Sequence, residues 1–116
     1  MAAAKHNIIL GRGEDYLVTL TIKNESGNPV DLTDDDFKGQ VRRGAGKPLV
    51  ASFSFPTIDA PNGEVGIKLT DTETLKMDPN ITYQYDIYRH IDGDGDIVRL
   101  LYGTIIAEGN VTDPTT

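Results

Sequence analysis

The sequence has no cysteine and no tryptophan, only two histidines, and nowhere the roughly 18 consecutive apolar residues that a membrane helix requires. Without cysteine there is no disulfide scaffold, no thiolate zinc site and no cysteine nucleophile. Without tryptophan a carbohydrate-stacking surface loses its best platform. His6 and His90 lack a second histidine or a carboxylate at ligand spacing, and Ser26, Ser52 and Ser54 do not sit in a Gly-x-Ser-x-Gly elbow. No nucleophile, base or metal set emerges, so the expectation is a protein that is not an enzyme and needs no cofactor. Basic residues are also scarce. Eleven Lys and Arg against 18 Asp and Glu give a formal charge of -7, which opposes binding to nucleic acid. The N-terminal stretch lacks a signal-peptide core, so a soluble chain made in a cytoplasm, with no membrane contact, is expected.

What is present is ordinary globular composition, 38% apolar and 25% charged over 116 residues, enough for one domain. The dominant local pattern is alternation with period two between turn residues. From Tyr16 to Ile22 the even positions are large and apolar, while Thr19 and Thr21 face the other way. Phe37, Gly39 and Val41 alternate with Lys38, Gln40 and Arg42, and a loose loop at 44–48 leads into a second run, Leu49 to Phe55. Val65, Ile67 and Leu69 form another inward face, in which Gly66 marks a bulge or close packing. The segment 70–77 offers a capping threonine and early acids, which predicts one short turn of helix.

Two long strands, Ile81 to His90 and Asp96 to about Ala107, flank Asp92-Gly93-Asp94-Gly95, a strong hairpin signal. Tyr83, Tyr85 and Ile87 share one face. In the second strand Val98, Leu100, Tyr102 and Thr104 oppose Ile97, Leu101, Gly103 and Ile105. Tyr83, shortly after Asp78-Pro79-Asn80, fits a tyrosine corner, with its hydroxyl bonded to upstream backbone. About seven strands in this length predict an all-β, immunoglobulin-like two-sheet antiparallel sandwich with one short helical turn. It spans 11–108, between an N-terminal arm or edge strand, 1–10, and a polar, mobile tail, 109–116.

Asp92, Asp94 and Asp96 alternate as the first ligands of a calcium loop do, but Ile97 and Gly103 stand where that loop needs glycine and a bidentate glutamate. A hairpin turn is the preferred reading, with calcium the weaker one. Asp34, Asp35 and Asp36 read as a solvated loop, Gly11-Arg12-Gly13 as a turn, and Arg42, Arg43 and Lys47 as a basic, partner-facing hairpin tip.

Three stretches together resemble a family of small bacteriophage virion proteins. They are Gly13 to Lys23 with Gly27 to Thr33, then Phe37 to Arg43 with Pro48 to Phe53, and finally Tyr83 to Ile87 with Arg99 to Thr104 before Asn110-Val111-Thr112. The pattern is similar to the immunoglobulin-like N-terminal domain of phage baseplate upper proteins and to short stand-alone proteins of tailed phages, including cyanobacterial ones. The acidic runs at Asp34 to Asp36 and Asp92 to Asp96 depart from that pattern. The resemblance implies a noncatalytic structural component of the virion, placed in tail, baseplate or neck. It would contact other phage virion proteins and form a homo-oligomeric ring or lattice. Capsid decoration on the head surface and a host-surface binding module are the alternatives. The residues expected at a partner interface are Asn7, Ile8, Ile9 and Leu10, whose strand pairs with a neighbour's edge, together with Arg42, Arg43, Tyr88 and Tyr102.

Overall fold

The computed structural model describes residues 3–93 and 95–111. Among the described residues the strands are β1 (Ala4–Lys5), β2 (Ile8–Gly11), β3 (Tyr16–Thr21), β4 (Asp36–Arg42), β5 (Leu49–Ser52), β6 (Thr57–Asp59), β7 (Glu64–Leu69), β8 (Thr82–His90) and β9 (Ile97–Glu108), with one α-helix, α1 (Asp71–Leu75), between β7 and β8 and short 3-10 turns at Ala60–Asn62 and Ile91–Gly93. The larger sheet runs β1-β9-β8-β4-β5, with β2 also on β9, and the smaller runs β3-β7-β6. Pairing is antiparallel except for β1 and β2, which lie parallel to β9.

The two inner faces supply the core. Val41, Ile87 and Ile105 from the larger sheet meet Ile67 and Leu69 from the smaller, and each is 2% exposed or less. Burial of side chains of this size contributes about 1.5–3 kcal/mol apiece. The chain changes sheets after β5. Phe53 N–H still donates to Gly39 O in the larger sheet, whereas Ser54 exchanges two backbone bonds with Lys68 in the smaller. The run expected to reach Phe55 as one strand therefore stops at Ser52, and Phe53 and Phe55 become core stitches between the sheets.

Several local expectations are met with a physical cause visible. Pro56 packs so closely on Gly66 that a Cβ there would lie 2.7 Å from the proline ring, and Gly66 N–H donates to Pro56 O. Thr70 caps α1 by accepting from Glu73 N–H. Tyr83 forms the tyrosine corner, its hydroxyl accepting the Asp78 N–H at 2.7 Å. Arg12, read from sequence as part of a plain turn, closes the other end of α1 by donating to the carbonyls of Leu75 and Met77.

Two further expectations are corrected. A β-bulge between Ile87 and Tyr88 shifts the β8–β9 register, so β9 does not keep one phase along its length. Leu100 and Leu101 both pack inward, on different parts of the core, and Arg99 rather than Leu100 shares the outer face with Tyr102. In β3 the even residues are not uniformly buried: Val18 is 38% exposed, because β3 is the last strand of its sheet.

Candidate functional site

The outer face of the larger sheet is the surface on which binding chemistry gathers. Register places β4, β8 and β9 side by side, so their outward side chains form rows. Asp36, His90 and Ile97 make one row, and Lys38, Tyr88 and Arg99 the next. Gln40, Asp86 and Tyr102 follow, and then Arg42, Gln84 and Thr104. The α-helix does not lie over this face: α1 packs on β5 and β7.

A shallow groove of about 530 Å³ runs along its centre, lined by Gln40, Arg42, Gln84, Asp86, Arg99 and Tyr102. The Arg99 guanidinium sits 4.6 Å from the centroid of the Tyr102 ring, a cation–π contact that holds both groups in place. Arg42 is fixed by donating to Lys47 O and to the Gln40 amide oxygen. Arg99 and Asp86 join no ion pair among the described residues. Beside the groove Tyr88 and Ile97 flank an apolar hollow of about 460 Å³, and Ile97 is 65% exposed. At the opposite end Ile9 and Ile106, partners in the β2–β9 register, are also exposed.

The expected interface residues divide accordingly. Ile9, Arg42, Tyr88 and Tyr102 come together on this face, and Arg43 is exposed just beyond the end of β4. Ile8 and Leu10 are corrected: each is 4% exposed and committed to the chain's own core. Their strand pairs with β9 of the same chain, so its sheet-forming groups on that side are already satisfied. Asn7 is likewise engaged internally, its side-chain oxygen accepting from Thr104 N–H. Arg99, Asp86 and Ile97 were not singled out from the sequence. The signal that locates them is register: Asp86 is paired with Tyr102, Arg99 with Tyr88 once the bulge is counted, and Ile97 with His90 in the next row.

Asp94, the middle member of the candidate calcium set, lies outside the described residues, as do residues 112–116 of the expected mobile tail. Asp92 adopts φ 53°, the left-handed conformation a tight hairpin asks of it. Asp96 is exposed at the start of β9 and its carbonyl accepts from Ile91 N–H. Among the described residues no group of three or more His, Asp or Glu is placed to hold a metal ion. Asp35, expected in a solvated loop, has a side chain only 2% exposed, bonded to Arg89 Nε at 2.5 Å and to Asp92 N–H at 2.9 Å.

No family model and no curated protein matches this sequence. Among solved structures, a crystal structure of a chicken TCR is similar, with a TM-score of 0.50 and 10% identity over 91% of this chain. This chain spans about half, 49%, of that receptor chain. At such low identity the likeness concerns architecture alone, and it agrees with the sheet order and the tyrosine corner: the chain folds as an immunoglobulin-like β-sandwich.

Proposed function

We propose that this chain is a noncatalytic structural component of a tailed-phage virion, held by other virion proteins against the outer face of its larger sheet. The tail, baseplate or neck is the favoured place, with capsid decoration the alternative. The family reading comes from the three sequence stretches. The observation that carries the contact mode is the uncovered face with an Arg99–Tyr102 pair at its centre and exposed Ile97, Ile9 and Ile106 toward its ends.

Arginine and tyrosine are the residue types enriched where protein interfaces are most buried, because each combines a large contact area with directional hydrogen bonds. The charge balance supports a protein partner. Lys38, Arg42 and Arg99 outnumber Asp36 and Asp86 on these rows, although the chain as a whole carries -7. The face is thus suited to an acidic or neutral protein surface, while the remaining acidic surface limits nonspecific association.

The test is incorporation. Arg99→Glu and Tyr102→Ala, both away from the core, are expected to leave the melting temperature close to wild type and to reduce the protein's presence in assembled particles at least severalfold. Wild-type incorporation of both variants would remove the outer face from the proposal.

A further inference from the structure

The two sheets end in four edges, and three of them are guarded. The β1–β2 edge is broken at His6 and Asn7, which bond to Tyr85 and Thr104. On β5, four residues long, Pro48 precedes the strand and the Glu73 carboxylate accepts the Ser52 N–H at 2.9 Å. β6 has three residues between Pro56 and Pro61. β3 is different: six residues, Tyr16–Thr21, with no charge, no proline and no bulge along its pairing with β7. Charges, prolines and bulges are what keep an edge from pairing with another chain, and β3 has none of them.

The direction of its free groups follows from one bond. Ile22 N–H donates to Gly63 O on the β7 side, at 2.8 Å, so by strand alternation the N–H and C=O of Leu17, Thr19 and Thr21 point away from the sheet. The residues just outside the strand carry opposite charges. Asp15 is exposed and uses one carboxylate oxygen on Asp71 N–H, while Lys23 is exposed and joins no ion pair among the described residues.

We propose that a second copy of this chain pairs antiparallel with β3 about a two-fold axis through Thr19. In that register Thr19 meets Thr19 of the second copy, and Leu17 meets Thr21 in both directions. These are the residues whose backbone groups are free, so each such pair exchanges two N–H···O bonds. Val18 comes opposite Leu20 on the core side, covering the apolar surface that Val18 exposes. Asp15 comes opposite Lys23 of the second copy, twice over. That complementarity arises from antiparallel self-pairing, because the two charges flank the strand four residues either side of Thr19. Three-stranded sheets then join into one six-stranded sheet, and the outer face of the larger sheet stays free. A single strand edge buries little area, so the association is reversible and concentration-dependent. It does not depend on the virion assignment.

Sedimentation equilibrium on the full chain tests this. Wild type is expected to show a monomer–dimer equilibrium. Thr19→Lys sets two ammonium groups face to face and is expected to raise the dissociation constant by about tenfold or more with an unchanged melting temperature. Lys23→Glu and Asp15→Lys are each expected to self-associate weakly, yet to associate with one another when mixed. Because the native chain has no cysteine, Thr19→Cys gives a single thiol. Hydrogen-bonded partners lie about 5.5 Å apart at Cα, within disulfide reach. Oxidation should therefore link Thr19→Cys into dimers and leave Lys38→Cys, on the other sheet's outer face, monomeric. A wild type monomeric up to millimolar concentration, or a dimer indifferent to Thr19→Lys, would overturn the proposal.

Discussion

The Tyr83 hydroxyl accepts the backbone N–H of Asp78 at 2.7 Å, fastening the crossing from α1 to the start of β8. The ring itself is 3% exposed, so one side chain serves both the core and the corner. Tyr83→Phe keeps the ring and strands the Asp78 N–H. The expected loss is about 1–3 kcal/mol, read as a lower urea midpoint with an unchanged m-value.

Asp35 joins the chain before β4 to both Arg89 in β8 and the turn at Asp92. Asp35→Ala leaves a guanidinium 15% exposed with no counterion, and an unpaired N–H besides. A destabilisation of about 3 kcal/mol or more is expected. The double variant Asp35→Ala with Arg89→Met should lose less than the two single losses combined, as a denaturation-based double-mutant cycle would register.

Gly103 makes room for the N-terminal segment: a Cβ there would fall 2.2 Å from His6 O, the atom that accepts the Tyr85 hydroxyl. Gly103→Ala must push the segment between β1 and β2 off the sheet. Amide hydrogen exchange should accelerate across residues 4–11, with much smaller changes in β4 and β7.

Stability should fall at both pH extremes for identifiable reasons. Burial, with the neighbouring Tyr16 adding to it, pushes the Tyr85 hydroxyl up to about 12, whereas an unfolded tyrosine ionises near about 10. A raised folded value means the contribution is full below the unfolded value and is lost as pH rises toward about 12. Tyr85→Phe should flatten that alkaline loss. Burial works to raise the Glu73 carboxyl, but hydrogen bonds from Lys76 and Ser52 N–H, with the Lys76 charge, outweigh it and hold it below its ordinary value. Its contribution is present above the unfolded value and fades as pH falls through the folded one, and Glu73→Gln should remove that part of the acid dependence.

Local chemistry made much of the fold legible. Alternation located β4, β7 and β8, Thr70 announced the helix start, and the short spacing from Asp78 to Tyr83 announced the corner. These features depend on residues a few positions apart. The outer face was legible only as fragments, Tyr88 and Tyr102 among them, because a bulge shifts the phase of β9 and changes which neighbours join them. The roles of Arg12 and Asp35 were not legible at all. Arg12 bonds to partners more than 60 residues away and Asp35 to two more than 50 away. The apolar N-terminal strand was expected on a neighbour's edge but pairs with β9 of its own chain, because alternation marks a strand without naming its partner.

The proposed role makes this chain a structural part of a tailed-phage particle. Its most direct test is the copy number of the chain in purified virions, by quantitative mass spectrometry against the major capsid protein. About a dozen copies are expected for a ring in the tail, baseplate or neck, whereas hundreds would move it to the head as a decoration. Absence from the particles would contradict that role.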